Sequence, residues 1–166
     1  MKTFTPEDRG DTMTLATATA DQLEELLALD MACFQHDAWS ERTWREVLCH
    51  PDCATVVWCP DGRVRAAAVI LPGCPESLLA SLAVHPDFRR RGVARALLDD
   101  ALHRSRQAGA HWLTLQVDRD NEAAVVLYRS AGFVVTRRFR EGGRPRFEMR
   151  RPLVGNPTGL RRPRRA

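Results

Sequence analysis

The sequence predicts one layered α/β domain, and three observations carry that expectation. Its 166 residues fit a single domain with room for a proper core. Apolar spacing switches repeatedly between the alternation of strands and the three-to-four residue period of helices. The resulting order, β-α-α-β-β-β-α-β-α-β-β, is too mixed for a sandwich or a bundle and lacks the strict alternation of a doubly wound nucleotide fold.

Each element has its own signal. "MTLATATA" (13–20) reads as a first strand, and Asp21 as the cap of a helix over 21–34 with Leu23, Leu26, Leu27 and Met31 on one stripe. "WSERTWREVL" opens a second helix with Ser40 as its cap. "CATVVWC" and "RVRAAAVIL" read as strands joined by a turn at "PDG". "SLLASLAV" (77–84) is apolar enough to be buried on both faces. Val93, Ala94, Leu97, Leu98, Ala101 and Leu102 mark a third helix that Gly109 ends. "HWLTLQV" follows as a strand, then a helix from Asn121 to Ser130, with Leu127 aimed at the core. Two last strands, at 133–139 and 145–151, flank "EGG" as a hairpin.

The totals narrow the function classes. Hydrophobic residues make up 44% and charged residues 28%, an ordinary globular balance. No apolar run approaches the roughly 20 residues that cross a bilayer, and the acidic first dozen residues form no secretory signal, so the expectation is cytoplasmic. Residues 1–12 read as a flexible leader, 13–153 as the domain and 154–166 as a basic, disordered tail. The net charge of +4 comes from the four arginines of "RRPRRA"; the rest carries 21 basic and 21 acidic residues. Nucleic acid is therefore not the expected partner. Five cysteines without paired ligand spacing read as reduced thiols, and "CHPDC" as no zinc site; no metal is expected.

The chemistry concentrates in "HPDFRRRGVARALL" (85–98). A helix start leaves several N–H groups unpaired and carries partial positive charge. Gly92 and the small Ala94 let a ligand approach that backbone, while Arg89, Arg90, Arg91 and Arg95 add charge, so a pyrophosphate fits there. The bland alternative is a solvated helix start. The preceding buried strand and the following amphipathic helix favour the phosphate cradle.

Taken together, "LAVHPDFRRRGVARALL" and "LQVDRDNEAAVVLYRSAGF" resemble the GNAT superfamily of acetyl-CoA-dependent N-acetyltransferases, and "FQHDAWSERTW" (34–44) with the downstream block looks most like its ribosomal-protein-alanine branch. The resemblance rests on Arg-x-x-Gly-x-Ala at 89–94 and Asn-x6-Tyr-x3-Gly-Phe at 121–133, and runs from about residue 14 to residue 152. It implies a mixed, mostly antiparallel sheet, with acetyl-CoA as co-substrate and a primary amine, on a protein N-terminus or a small molecule, as acceptor. Leu82, Ala83 and Val84 would pair with the pantetheine arm through their main chain. Arg90, Arg91, Gly92, Val93, Ala94 and Arg95 would wrap the pyrophosphate. Asn121 would hold the cofactor near its thiol, and Tyr128 would stand by the sulfur.

Tyr128, the only tyrosine, has the ordinary phenol value of about 10 and stays protonated at pH 7, so it suits the departing thiolate. A core tyrosine is the bland alternative. Asn121 and Tyr128, seven apart, are expected near one helical face. A free N–H near Val84 would polarise the acetyl carbonyl. Direct transfer is expected, because no cysteine has a nucleophile setting. Where the branch carries a catalytic glutamate, this chain has Gln116, whose amide takes no proton but can hold a water or the acceptor; a plain strand residue is the alternative. His85, Glu148 and His111 remain as substitute bases. The stretch "TRRFREGGRPRFEM" is shorter than in that branch and lacks its tyrosines, which leaves the acceptor open. A non-catalytic acyl-CoA-binding sensor is the alternative reading, and either a monomer or a homodimer is compatible with the chain.

Overall fold

A computed structural model describes residues 13–153; the expected leader (1–12) and basic tail (154–166) lie outside the described residues. Strands β1 (Leu15–Thr17), β2 (Ala54–Trp58), β3 (Ala66–Leu71), β4 (Glu76–Val84), β5 (Trp112–Asp118), β6 (Val134–Glu141) and β7 (Arg144–Pro152) alternate with the helices in the predicted order. The helices are α1 (Leu23–Phe34), α2 (Glu41–Cys49), α3 (Val93–Gln107) and α4 (Glu122–Ser130).

The strands form one sheet in the order β1-β2-β3-β4-β5-β7-β6. Only β4 and β5 pair in parallel, joined through α3; the other ladders are antiparallel. Each sheet face carries its own core. Leu23, Leu26 and Leu29 of α1 and Trp44 of α2 pack on Val57, Ala67, Val69 and Ala83. Leu97, Leu98, Ala101 and Leu102 of α3, with Val125 and Tyr128 of α4, pack on Val56, Ala68, Ile70, Leu113, Leu115 and Met149 on the other face. β3 is buried from Ala66 to Ile70 because helices cover it on both sides.

Local chemistry explains the boundaries, including those that differ from expectation. Ser40 caps α2 as predicted, its hydroxyl accepting the Thr43 N–H at 3.2 Å. Asp21 does not cap α1. A 3-10 turn over Ala20–Gln22 begins before it, entered from Thr19, whose N–H donates to Gln22 Oε1 at 3.0 Å. That turn also consumes the end of the predicted first strand, so β1 keeps three residues.

The buried stripe of α1 is Leu23, Leu26, Leu29 and Asp30, whereas Leu27 is half-buried and Met31 is 59% exposed. Buried Asp30 turns inward and accepts the Trp39 N–H at 2.5 Å. β3 starts later than predicted because residues 63–65 close a wider loop. There Arg65 pairs with Asp61 at 2.6 Å, and the N–H of buried Val64 donates to Glu25 Oε2 at 2.6 Å. The β6–β7 hairpin turns on Gly142 and Gly143 alone, at φ 56° and 82°, the left-handed pair that a two-residue type I′ turn requires.

Candidate active site

The site begins with a defect in a ladder. Val69 pairs with Ser81 but Ile70 pairs with Leu79, so Ala80 is an extra residue in β4. Such a bulge bends and twists its strand. It also shifts the phase of the side chains, and Leu79 and Leu82, three residues apart, pack into the same core. The parallel ladder from β4 to β5 ends at the neighbouring pair Leu79–Leu115, although β4 runs on to Val84 and β5 to Asp118. The two strands therefore part and leave a gap in the middle of the sheet.

The edge of that gap follows from ladder alternation. The His85 N–H donates to the Arg65 carbonyl at 2.8 Å, while the Arg65 N–H turns to the Trp58 carbonyl at 2.9 Å, so His85 faces β3. Two residues back, Ala83 turns its main-chain groups toward β3, and Leu82 and Val84 turn theirs into the gap. The Val84 carbonyl is already engaged: the Cys33 thiol donates to it at 3.4 Å and Arg89 Nε at 3.1 Å. The Val84 N–H and both main-chain groups of Leu82 remain on the open edge. Of the three residues expected along the pantetheine, Ala83 is thus committed to the sheet.

The arginine-glycine stretch forms the upper lip. A 3-10 turn over Pro86–Phe88 follows β4, with His85 Nδ1 accepting the Asp87 N–H at 3.3 Å. Arg65 and Arg91 both lie over the Phe88 ring, at 5.2 and 5.0 Å. Arg91 also donates to the Asp87 carbonyl at 3.2 Å, and Arg95 pairs with Asp99 at 3.1 Å. Arg89 and Arg91 therefore build the loop itself, whereas Arg95 pairs along α3. Arg90 holds φ 63° and Gly92 φ 78°, the left-handed conformations through which backbone N–H groups form anion-binding concavities. Gly92 is the cap residue of α3 and supplies no side-chain acceptor. The first helical bond runs from Ala96 N–H to the Gly92 carbonyl at 3.0 Å, and the amides of Val93, Ala94 and Arg95 precede it. A Cβ built on Gly92 meets nothing within 4 Å, so the approach to these amides is open. A diphosphate fits this cradle.

Tyr128 of α4 is 7% exposed in the core on the α3/α4 side of the sheet, with its ring 5.8 Å from that of Phe133. Its hydroxyl has no hydrogen-bond partner among the described residues, and burial pushes the phenol up to about 12. Asn121 is the exposed cap of α4, not a helical residue as predicted; its Oδ1 accepts the Ala124 N–H at 3.2 Å. Leu127 is half-buried against the core, as expected.

Leu113, Leu115 and Val117 of β5 enter the α3/α4 core, so Thr114, Gln116 and Asp118 face the opposite side. Gln116 is exposed directly beyond the split and stands opposite Glu148 of β7. The substitute bases separate clearly. Glu148 is adjacent to Gln116; His85 spends Nδ1 on its own turn; His111 lies at the far end of β5, where its N–H donates to the Pro75 carbonyl.

Sequence reasoning did not foresee the ionic clasp on this face. Asp37, between α1 and α2, pairs with Arg144 of the hairpin, which reaches Asp118 at 3.5 Å; Arg146 joins Glu141 at 2.6 Å. Arg144 holds the Asp37 carboxyl below its usual range. Asp37 and Arg144 are too far apart in sequence for any local pattern to link them. Among the described residues no helix is long and apolar enough to cross a membrane, and no group of three His, Cys, Asp or Glu is set to hold a metal ion. All five cysteines are free.

Comparison with known proteins agrees with this geometry. The [ribosomal protein bS18]-alanine N-acetyltransferase of Escherichia coli (strain K12) is 37% identical over 73 residues, 44% of this chain and 49% of that protein. The aligned part thus spans about half the length of that curated relative. The crystal structure of the ribosomal-protein-S18-alanine N-acetyltransferase from Escherichia coli superposes with a TM-score of 0.78 at 25% identity, covering 89% of this chain and 98% of the other. Arabidopsis thaliana NAA60, solved in complex with acetyl-CoA, shares the fold at a TM-score of 0.75 and 17% identity, over 86% of this chain and 99% of that one. The family model for the acetyltransferase (GNAT) family matches residues 20–133. With the split sheet and the glycine-capped α3 at its centre, the chain belongs to the acetyltransferase (GNAT) family.

Proposed function

We propose that this chain is a cytoplasmic N-acetyltransferase that moves the acetyl group of acetyl-CoA directly to a primary amine, on a protein N-terminus or a small molecule. The observation that carries this reading is the gap between β4 and β5, bordered by the unpaired edge of Leu82 and Val84 and capped by the open helix start at Gly92. Gly92, Val93, Ala94 and Arg90 hold the diphosphate, with Arg89 and Arg91 supporting the loop and Arg95 adding charge from α3. Leu82 pairs with the pantetheine amides as a further strand would, and the Val84 N–H is left for the acetyl group.

When bound, acetyl-CoA supplies an acetyl group activated as a thioester. The Val84 N–H polarises the acetyl carbonyl, a fixed dipole aimed where negative charge develops. Tyr128, protonated at any pH below about 12, donates its proton to the departing sulfur. Asn121 keeps its amide N–H₂ for the cofactor, since its oxygen serves the helix cap. Gln116 orients the amine from the opposite side of the gap. Holding both substrates across one gap provides much of the remaining acceleration. An α-amino acceptor, with an ordinary pKa near 7.7 to 8.0, is already partly neutral at pH 7, which favours a protein N-terminus over lysine at about 10.4. The relative named for alanine N-acetylation supports the same choice.

A thiol-release screen tests this: acetyl-CoA against amino-terminal peptides, polyamines, amino acids and aminoglycosides. Free CoA is expected with at least one amine class. Calorimetric binding of acetyl-CoA without release of CoA across the panel would overturn the catalytic reading.

A further inference from the structure

Attack by an amine on a thioester generates a proton that some group on the acceptor side must take, and Gln116 takes none. The titratable groups facing the gap can be sorted by what already holds them. Tyr128 stays protonated and serves the sulfur. Cys33 has its thiol pushed up by burial and donates to the Val84 carbonyl. Asp37 and Asp118 are held by Arg144, and Glu76 by Thr114 and Arg150 near the start of β4. His85 is tied into its turn.

Glu148 remains. It lies directly across the β5–β7 ladder from Gln116, and cross-strand partners share a face with Cβ atoms about 5 Å apart. Its side chain is 21% exposed and is oriented from β6 by two donors: Thr136 Oγ1 to Oε1 at 3.2 Å and Arg137 Nη2 to Oε2 at 3.3 Å. Both contacts come from the strand away from the gap. The other charges on this face are Arg146 and Arg150 on β7, which engage Glu141 and Glu76, and Asp118 on β5.

We infer that Glu148 is the general base of the proposed acetyl transfer, acting beside Gln116 on the neighbouring strand. This rests on the acetyltransferase reading above. The amine nitrogen bonds to the acetyl carbon and the carbon–sulfur bond breaks. The sulfur leaves with the bonding pair and takes the Tyr128 proton. The excess proton on nitrogen passes to a Glu148 oxygen, directly or through one water held by Gln116. Glu148 then releases that proton to solvent, Tyr128 regains one, and the sum is amine plus acetyl-CoA giving amide plus CoA thiol.

The test compares wild type, Glu148→Gln and the double variant Gln116→Glu with Glu148→Gln, using an acceptor from the amine screen. Glu148→Gln keeps the Thr136 contact and the strand pairing. It is expected to lower kcat about 100-fold at neutral pH, to flatten the acidic limb of the pH profile, and to leave the calorimetric Kd for CoA within twofold. The double variant, which moves the carboxylate to the adjacent strand, is expected to recover at least tenfold. Turnover by Glu148→Gln within threefold of wild type, with CoA binding intact, overturns the assignment and leaves the acetyltransferase reading standing. A wild-type protein that binds acetyl-CoA but acetylates nothing overturns both. A large loss of kcat with an unchanged pH profile and no recovery in the double variant reduces Glu148 to a structural residue and also overturns it.

Discussion

At the scale of single residues, Tyr128 joins a packing role to the chemical one proposed for it. Its ring fills the α3/α4 core beside Phe133 while its hydroxyl keeps no partner among the described residues. Tyr128→Phe keeps the ring, so kcat is expected to fall ten- to a hundredfold with stability changed by less than about 1 kcal/mol. Stopped-assay kinetics and urea unfolding separate the two. The raised phenol value also has an alkaline signature. Above pH 10 the unfolded chain gives up this proton while the folded chain keeps it to about 12. Folding therefore binds a proton in that window, and stability falls as pH rises, by about 1.4 kcal/mol per unit and at most about 3. Because this is the only tyrosine, tyrosinate absorbance follows the transition directly, and Tyr128→Phe should remove the slope. The identity of this residue was legible from its motif; its depth and its unpartnered hydroxyl were not, because burial is a property of all the chain around it.

At the scale of elements, the proposed nucleotide cradle depends on the connection from β4 to α3. Gly92→Ala meets no steric obstacle, yet it forces an L-residue to φ 78°. A loss of about 1 to 2 kcal/mol in stability is expected from the left-handed backbone alone. CoA affinity should fall on the order of tenfold, equivalent to about 1.4 kcal/mol. Thermal melts and calorimetry read the two effects separately; unchanged CoA affinity would count against the cradle. Signals inside one element were easy to read. The Ser40 cap, the Gly-Gly hairpin and the α3 stripe all depend on near neighbours. The cap of α1 differs from expectation because a 3-10 turn precedes the helix, and its stripe differs only at Met31, which is exposed while Leu29 is buried.

At the scale of the whole molecule, the clasp of Asp37, Arg144 and Asp118 ties the α1–α2 connection to the hairpin across the face that carries Gln116 and Glu148. Asp37 and Arg144 are about half exposed, so Arg144→Gln should leave the urea-unfolding midpoint nearly unchanged. The acceptor KM is expected to rise several-fold while the Kd for acetyl-CoA stays constant, as steady-state kinetics and calorimetry would show. An equal effect on both substrates would deny the clasp a role on the acceptor side. Since Arg144 depresses the Asp37 carboxyl, the clasp persists above the ordinary carboxylate range and loosens as pH falls through the lowered value.

The order of elements, the helix start that invites a diphosphate and the motif around Asn121 and Tyr128 were determined by the sequence alone, because each depends on residues within a few positions of one another. The parting of β4 from β5, the release of Leu82 and Val84 main-chain groups into that gap and the meeting of Gln116 with Glu148 were decided only by the tertiary structure. Strand partners and register are long-range choices. A bulge of one residue at Ala80 opens the sheet, and nothing in the local pattern of β4 marks where that extra residue falls.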